Sequence, residues 1–150
     1  MTERSIAHGS FTVTRSYPAT PARVFKAWAN PEFKRKWFGT PRDGNADDIF
    51  EFKVGGREYN ASKMGDDMYT FDVRYQDIVP DERIVYTYEM TINGQRMSVS
   101  LATMEIEPEG TGTKMTVVEH GAFLDGLDNA RQREEGTNWL ADALGKSLAD

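Results

Sequence analysis

The stretch YTFDVRYQDIVPDERIVYTYEMTINGQR, residues 69–96, holds two runs of alternating residues divided by one turn and closed by another. Tyr69, Phe71, Val73 and Tyr75 alternate with Thr70, Asp72 and Arg74, the period of two that marks a strand with one apolar face. Pro80-Asp81-Glu82 interrupts the pattern, which resumes with Ile84, Tyr86, Tyr88 and Met90 on one face. Asn93-Gly94 then supplies a two-residue hairpin turn, because the central positions of such a turn need positive φ. Strands joined by connections this short run antiparallel.

The same punctuation continues on both sides. Downstream, a long strand runs from about Arg96 to Glu107, Gly110-Thr111-Gly112 turns the chain, and a last strand spans Thr113 to about His120. That strand sets Met115, Val117 and Glu119 on one face and Thr116, Val118 and His120 on the other. Upstream, Phe50, Phe52 and Val54 alternate with Glu51 and Lys53, and Gly55-Gly56 is expected to be a two-residue hairpin turn into a strand beginning at Arg57 and closed by Gly65-Asp66-Asp67. A first strand is read at Phe11, Val13, Arg15 and Tyr17.

Helical signals fall between the first strand and the rest, and at the end. Thr20-Pro21 and Asn30-Pro31 each pair a capping residue with proline in the first helical position. The first precedes a stripe of Val24, Phe25, Ala27 and Trp28; the second precedes Phe33, Trp37 and Phe38 on a short helix ending at Gly39. Lys34-Arg35-Lys36 is expected on the wet side of that helix. After a loop containing Phe123-Leu124-Asp125-Gly126, Leu140, Ala143, Leu144, Ser147 and Leu148 form the stripe of a long terminal helix. Gly136 costs that helix about 1 kcal/mol relative to alanine, which close packing on the sheet or room for a ligand would explain. The plan is α+β: about seven antiparallel strands, two short helices after strand one and one long helix to cover the sheet.

Composition narrows the function. The 150 residues, read as a single domain over 1–150, carry a net charge of −6, which repels nucleic acid and anionic membranes. The absence of cysteine removes disulfides and thiolate chemistry, and with no signal peptide or apolar span in view a cytoplasmic protein, monomer or homodimer, is expected. Phe, Met, Tyr and Trp number 8, 7, 6 and 3, giving a core of rings and adaptable thioethers that suits a binding cavity as well as plain packing.

The order of these elements resembles the polyketide cyclase and START-like (SRPBCC) superfamily, with the helix-grip fold of the birch-pollen allergen. Within it the chain is similar to the branch named for the activator of the 90-kDa heat-shock chaperone ATPase. The resemblance rests on residues 21–28 (PARVFKAW), Asn30-Pro31-Glu32, Lys36-Trp37-Phe38-Gly39, Val54-Gly55-Gly56-Arg57, Gly112-Thr113 and the terminal helix. Many relatives carry Gly-Trp in that helix, whereas here Thr137 follows Gly136 and the tryptophan is Trp139. The resemblance implies a curved sheet gripping the last helix around a cavity that binds a small hydrophobic or aromatic ligand.

On that fold Trp37, Phe38, Tyr69, Phe71, Tyr86, Tyr88, Phe123 and Trp139 would converge with Met115 and Val117 as a ligand-binding wall. Glu119, in phase with Met115 and Val117, and Glu58, just after the glycine pair, are the candidate catalytic carboxylates. Each could instead be held by Arg57, Arg96 or a tyrosine hydroxyl. A one-residue slip near Gly121 would turn Glu119 out and His120 in. His8 and His120 lack metal-ligand spacing, and neither a phosphate loop nor a Gly-x-Ser-x-Gly elbow is present, so no metal and no cofactor is expected. Two rivals to a binding protein stand beside it: a cyclase- or hydrolase-like enzyme using Glu58 or Glu119 as base, and a chaperone-interaction module.

Overall fold

A computed structural model describes residues 3–38 and 48–149. The chain runs β1 (Ile6–Tyr17), α1 (Pro21–Ala29), α2 (Pro31–Lys34), β2 (Ile49–Phe50), β3 (Arg57–Met64), β4 (Asp67–Val79), β5 (Arg83–Ile92), β6 (Gln95–Glu109), β7 (Gly112–Leu124) and α3 (Ala130–Leu148). The strands form one seven-stranded sheet in the order β1-β7-β6-β5-β4-β3-β2, every neighbour antiparallel. β2 to β7 are therefore a meander, and only β1 crosses over, to lie against the last strand. Register shifts at Tyr75/Asp77 and at Met90/Thr91 add the bulges that bend long strands. The curved α+β helix-grip architecture expected from the sequence is the one observed.

The turns follow the local chemistry. Asn93 and Gly94 adopt positive φ of 51° and 83°, and the Asn93 side chain also accepts from the Met68 N–H at 2.9 Å. Thr20 and Asn30 cap α1 and α2 through their side chains, and Asn129 accepts from Gln132 N at 2.9 Å to start α3. Long-range contacts fix α3 on the concave face. Tyr17 donates from its hydroxyl to the Ala141 carbonyl at 2.7 Å, and at Gly9 a Cβ would stand 2.5 Å from that of Ala130, so only glycine admits the first turn of α3. Leu144 is fully buried, with Ala141 and Ser147 on the same face.

Four local expectations are corrected. Gly55-Gly56 is not a two-residue hairpin: Phe50 pairs with Glu58, and the intervening loop docks on β4, with Gly55 N bonded to Tyr75 O at 2.8 Å and Tyr75 N to Gly56 O at 3.1 Å. Val54 is consequently exposed. The second helix is a single turn ending at Lys34, with Trp37 and Phe38 in the turns that follow, while Gly39 lies outside the described residues. Lys34 is buried rather than on a wet face. Phe123 belongs to β7 rather than to a loop, opposite Ala7 and Ser98. β7 keeps unbroken register with β1 and β6 through Gly121, so Glu119 points inward and His120 is exposed. No helix among the described residues is long and apolar enough to cross a membrane.

Because Leu144 fills the contact between α3 and the sheet, Leu144→Ala is expected to cost about 2–5 kcal/mol. At roughly 2–4 °C per kcal/mol for a domain of this size the melting temperature should fall by at least ~4 °C. Calorimetry that found a change within ~1 °C would show that α3 does not carry the core.

Candidate functional site

The concave face and α3 do not meet along their whole length. Between them lies a cavity of about 460 Å³. Its wall is drawn from α1, the α2 turn, β3 to β5, β7 and α3. The rings follow from strand phase: Phe71, Tyr75, Tyr86 and Tyr88 all sit on inward positions, with Tyr75 opposite Tyr86 and Val73 opposite Tyr88. Trp28, Tyr86, Tyr88, Phe71, Phe38 and Trp37 form a closed circuit of touching rings, successive centroids 4.9–6.3 Å apart. All but Trp37 line the cavity.

Of the residues expected on the wall, Phe38, Glu58, Tyr69, Phe71, Tyr86, Tyr88, Met115, Val117, Glu119 and Trp139 line it. Two do not. Trp37 packs behind Trp28 and donates its indole N–H to the Ala27 carbonyl at 2.9 Å. Phe123 lies beyond the cavity, its ring against Gly9 and Gly121. Trp139 is 68% exposed, which places it at the mouth with the equally exposed Met64.

Two polar clusters interrupt the apolar wall. In the first, Lys34 Nζ stands 2.6 Å from Glu58 Oε1 and 3.4 Å from the Tyr75 hydroxyl, and that hydroxyl donates to the same Glu58 oxygen. Both charged side chains are at least nine-tenths buried, and the ammonium also lies 4.9 Å from the Phe38 centroid and 5.2 Å from that of Phe50. Glu58 is thus held by a tyrosine and a lysine; Arg57 pairs with Asp72 and Arg96 with Glu89 instead. In the second cluster Glu119 accepts from the Tyr88 hydroxyl at 2.5 Å and from the Thr137 hydroxyl at 2.9 Å. Burial holds the Glu119 carboxyl above its ordinary value, opposed by these two hydrogen bonds and by Arg133. Burial likewise pushes the Tyr75, Tyr86 and Tyr88 phenols up, with the neighbouring carboxylates adding to it. Tyr86 feels both Glu119 and Glu58.

Lys34, Trp28, Tyr75 and Thr137 join the wall without having been singled out in the sequence. Tyr75 was legible, being in phase with Phe71 and Val73. Lys34 carried a fainter signal, since Trp37 and Phe38 follow it at helical spacing. Gly136 lines the cavity, and a Cβ there would meet no atom closer than Arg133 Nη2 at 4.0 Å. Its helix penalty is therefore matched by open space, not by close packing. Among the described residues no group of three or more His, Asp or Glu could hold a metal ion.

A family model described as activator of Hsp90 ATPase homolog 1-like protein matches residues 18–149. Among solved structures, the Mll3558 protein from Rhizobium loti is 46% identical over 95% of this chain and 99% of its own, with a TM-score of 0.86. An uncharacterized protein from Rhizobium leguminosarum is 40% identical over 99% of both chains, with a TM-score of 0.91. Protein CV1439 from Chromobacterium violaceum, 20% identical over 94% of this chain and 97% of its own with a TM-score of 0.73, shares the fold. No curated protein matches the chain.

Two measurements probe the clusters. Lys34→Met leaves Glu58 buried without its cation and is expected to cost about 3–5 kcal/mol, most of it recovered in Lys34→Met/Glu58→Gln; additive losses in denaturant melts would show that the two are uncoupled. For Glu119, a native carboxyl raised above its ordinary 4.5 stabilises the fold fully below that pH and loses the contribution as pH rises through the native value. Wild type should therefore lose stability relative to Glu119→Gln between about pH 4.5 and neutrality. A stability difference that stays flat over that range refutes the raised carboxyl.

Proposed function

The chain belongs to the activator of Hsp90 ATPase homolog 1-like family, and on that premise we propose that it binds a small, largely hydrophobic or aromatic molecule between the sheet and α3. The observation that supports this is the cavity itself. Well-packed interiors leave few voids larger than a water molecule, whereas about 460 Å³ lies within the ~300–1,000 Å³ of ligand pockets. Rings make up much of its wall, and Lys34, Glu58 and Glu119 are each held by named partners, which gives a small molecule fixed groups to orient against. Gly136 supports the same reading, because a helix-weakening residue faces open space where alanine would be cheaper for folding. The ligand-binding roles of the ten wall residues named from the sequence, a cytoplasmic setting and a monomer or homodimer that takes no nucleic acid belong to this proposal. The net charge of −6 and the absence of cysteine support the setting and the choice of partner.

Glu119 favours a second reading. A carboxyl raised by burial, with a tyrosine hydroxyl at 2.5 Å and a face on the cavity, has the environment of a general acid or base. On that reading Glu119→Gln keeps ligand affinity and abolishes turnover; on the binding reading no turnover exists to lose.

Native mass spectrometry of freshly purified protein is expected to find a co-purified small molecule, and apolar ligands should raise the melting temperature by mass action. Gly136→Leu should fill the cavity, keep the fold and lose both effects. Equal thermal shifts in wild type and Gly136→Leu would place binding elsewhere, and stimulation of the chaperone ATPase without any ligand effect would replace this reading with the interaction module.

A further inference from the structure

The charges on the cavity wall are already spoken for. Lys34 has Glu58 at 2.6 Å, and Arg133 Nε stands 3.0 Å from Asp128 Oδ2 on a carboxylate that is 1% exposed. Glu119 forms no ion pair among the described residues; both of its oxygens accept from hydroxyls. A carboxylate or phosphate entering the cavity would find no cation without an ion-pair partner among the described wall residues, and would have to displace Glu58 from Lys34 at close quarters. A charge stripped of water with no counter-charge to meet costs several kcal/mol.

Hydrogen-bonding capacity, by contrast, is left over. Tyr86 lines the cavity with a phenol that burial keeps in its protonated, donor form, whereas the Trp28 indole N–H is sealed away from any ligand. Lys34 carries three N–H donors, of which Glu58 and Tyr75 take two. Lys34 and Tyr86 flank the same ring: Lys34 Nζ is 5.8 Å from the Trp28 ring centroid, and the Trp28 and Tyr86 rings are 6.3 Å apart.

Resting on the binding reading, we propose that the cavity selects an uncharged ligand that presents an acceptor oxygen to Lys34 and Tyr86, and rejects carboxylates of the same shape. The selectivity comes from Glu58, which spends the lysine's charge while leaving one of its N–H donors free.

Two probes sharing one ring system test this at neutral pH: 2-acetylnaphthalene and 2-naphthoate, with affinity read by calorimetry. The ketone is expected to bind at least tenfold more tightly than the carboxylate. Glu58→Gln, which leaves Lys34 as an unpaired cation, should raise naphthoate affinity at least tenfold and reverse the order. Tyr86→Phe, a milder change, should weaken the ketone severalfold and leave naphthoate unaltered. Naphthoate binding wild type as tightly as the ketone overturns the charge selection while leaving the cavity as a binding site. Failure of both to bind, together with no co-purified molecule, overturns the binding reading and this inference with it.

Discussion

Burying a carboxylate in an apolar wall is costly unless something compensates it, and two such groups on the concave face dictate much of what surrounds them. Glu58 draws Lys34 out of what would be a solvent-facing basic run and into the interior, with Tyr75 completing the set. Glu119 forms no ion pair among the described residues and is held by two hydroxyls, one from β5 and one from α3. The α2 turn, the middle of the meander and the terminal helix are thereby tied to the same cavity through polar contacts that cannot slide. The two solutions differ in kind. One is an ion pair that spends its charge internally, and the other is a carboxyl that burial pushes toward its neutral form.

The position of α3 follows from a different constraint. Gly9 admits its first turn against β1, the Tyr17 hydroxyl catches it at Ala141, and Leu144 seals the contact. These contacts lie at the helix start and on its C-terminal half. Around Gly136 the helix leaves open space that becomes cavity, while Thr137 reaches across to Glu119 on β7. A stretch with neither close packing nor a strong helix former is a place where folding stability yields to room, a trade common at binding sites.

Much of this was legible along the chain. Alternation at 69–75 and 84–90, the Asn93-Gly94 turn, and the two cap-proline pairs named the elements, because each rests on interactions between residues a few positions apart. Strand phase also placed Glu119 inward, since no bulge interrupts β7. The misreadings share a cause. Gly55-Gly56 looked like a tight hairpin but bonds to Tyr75 on β4, and Lys34 looked solvated but pairs with Glu58, twenty-four positions away. Residue type alone points Phe123 and Trp37 to the cavity, yet one packs against Gly9 and Gly121 and the other behind Trp28.

Residues a few positions apart specify the antiparallel sheet, the capped short helices, the long terminal helix and the face on which each strand residue lies, because backbone periodicity and turn chemistry are local. The folded arrangement sets which strand the first one meets, where the helix leaves the sheet, and which partner each buried carboxylate finds. Those outcomes depend on distances between residues far apart in the chain, and a buried charge is settled by whatever partner the fold brings within about 3 Å.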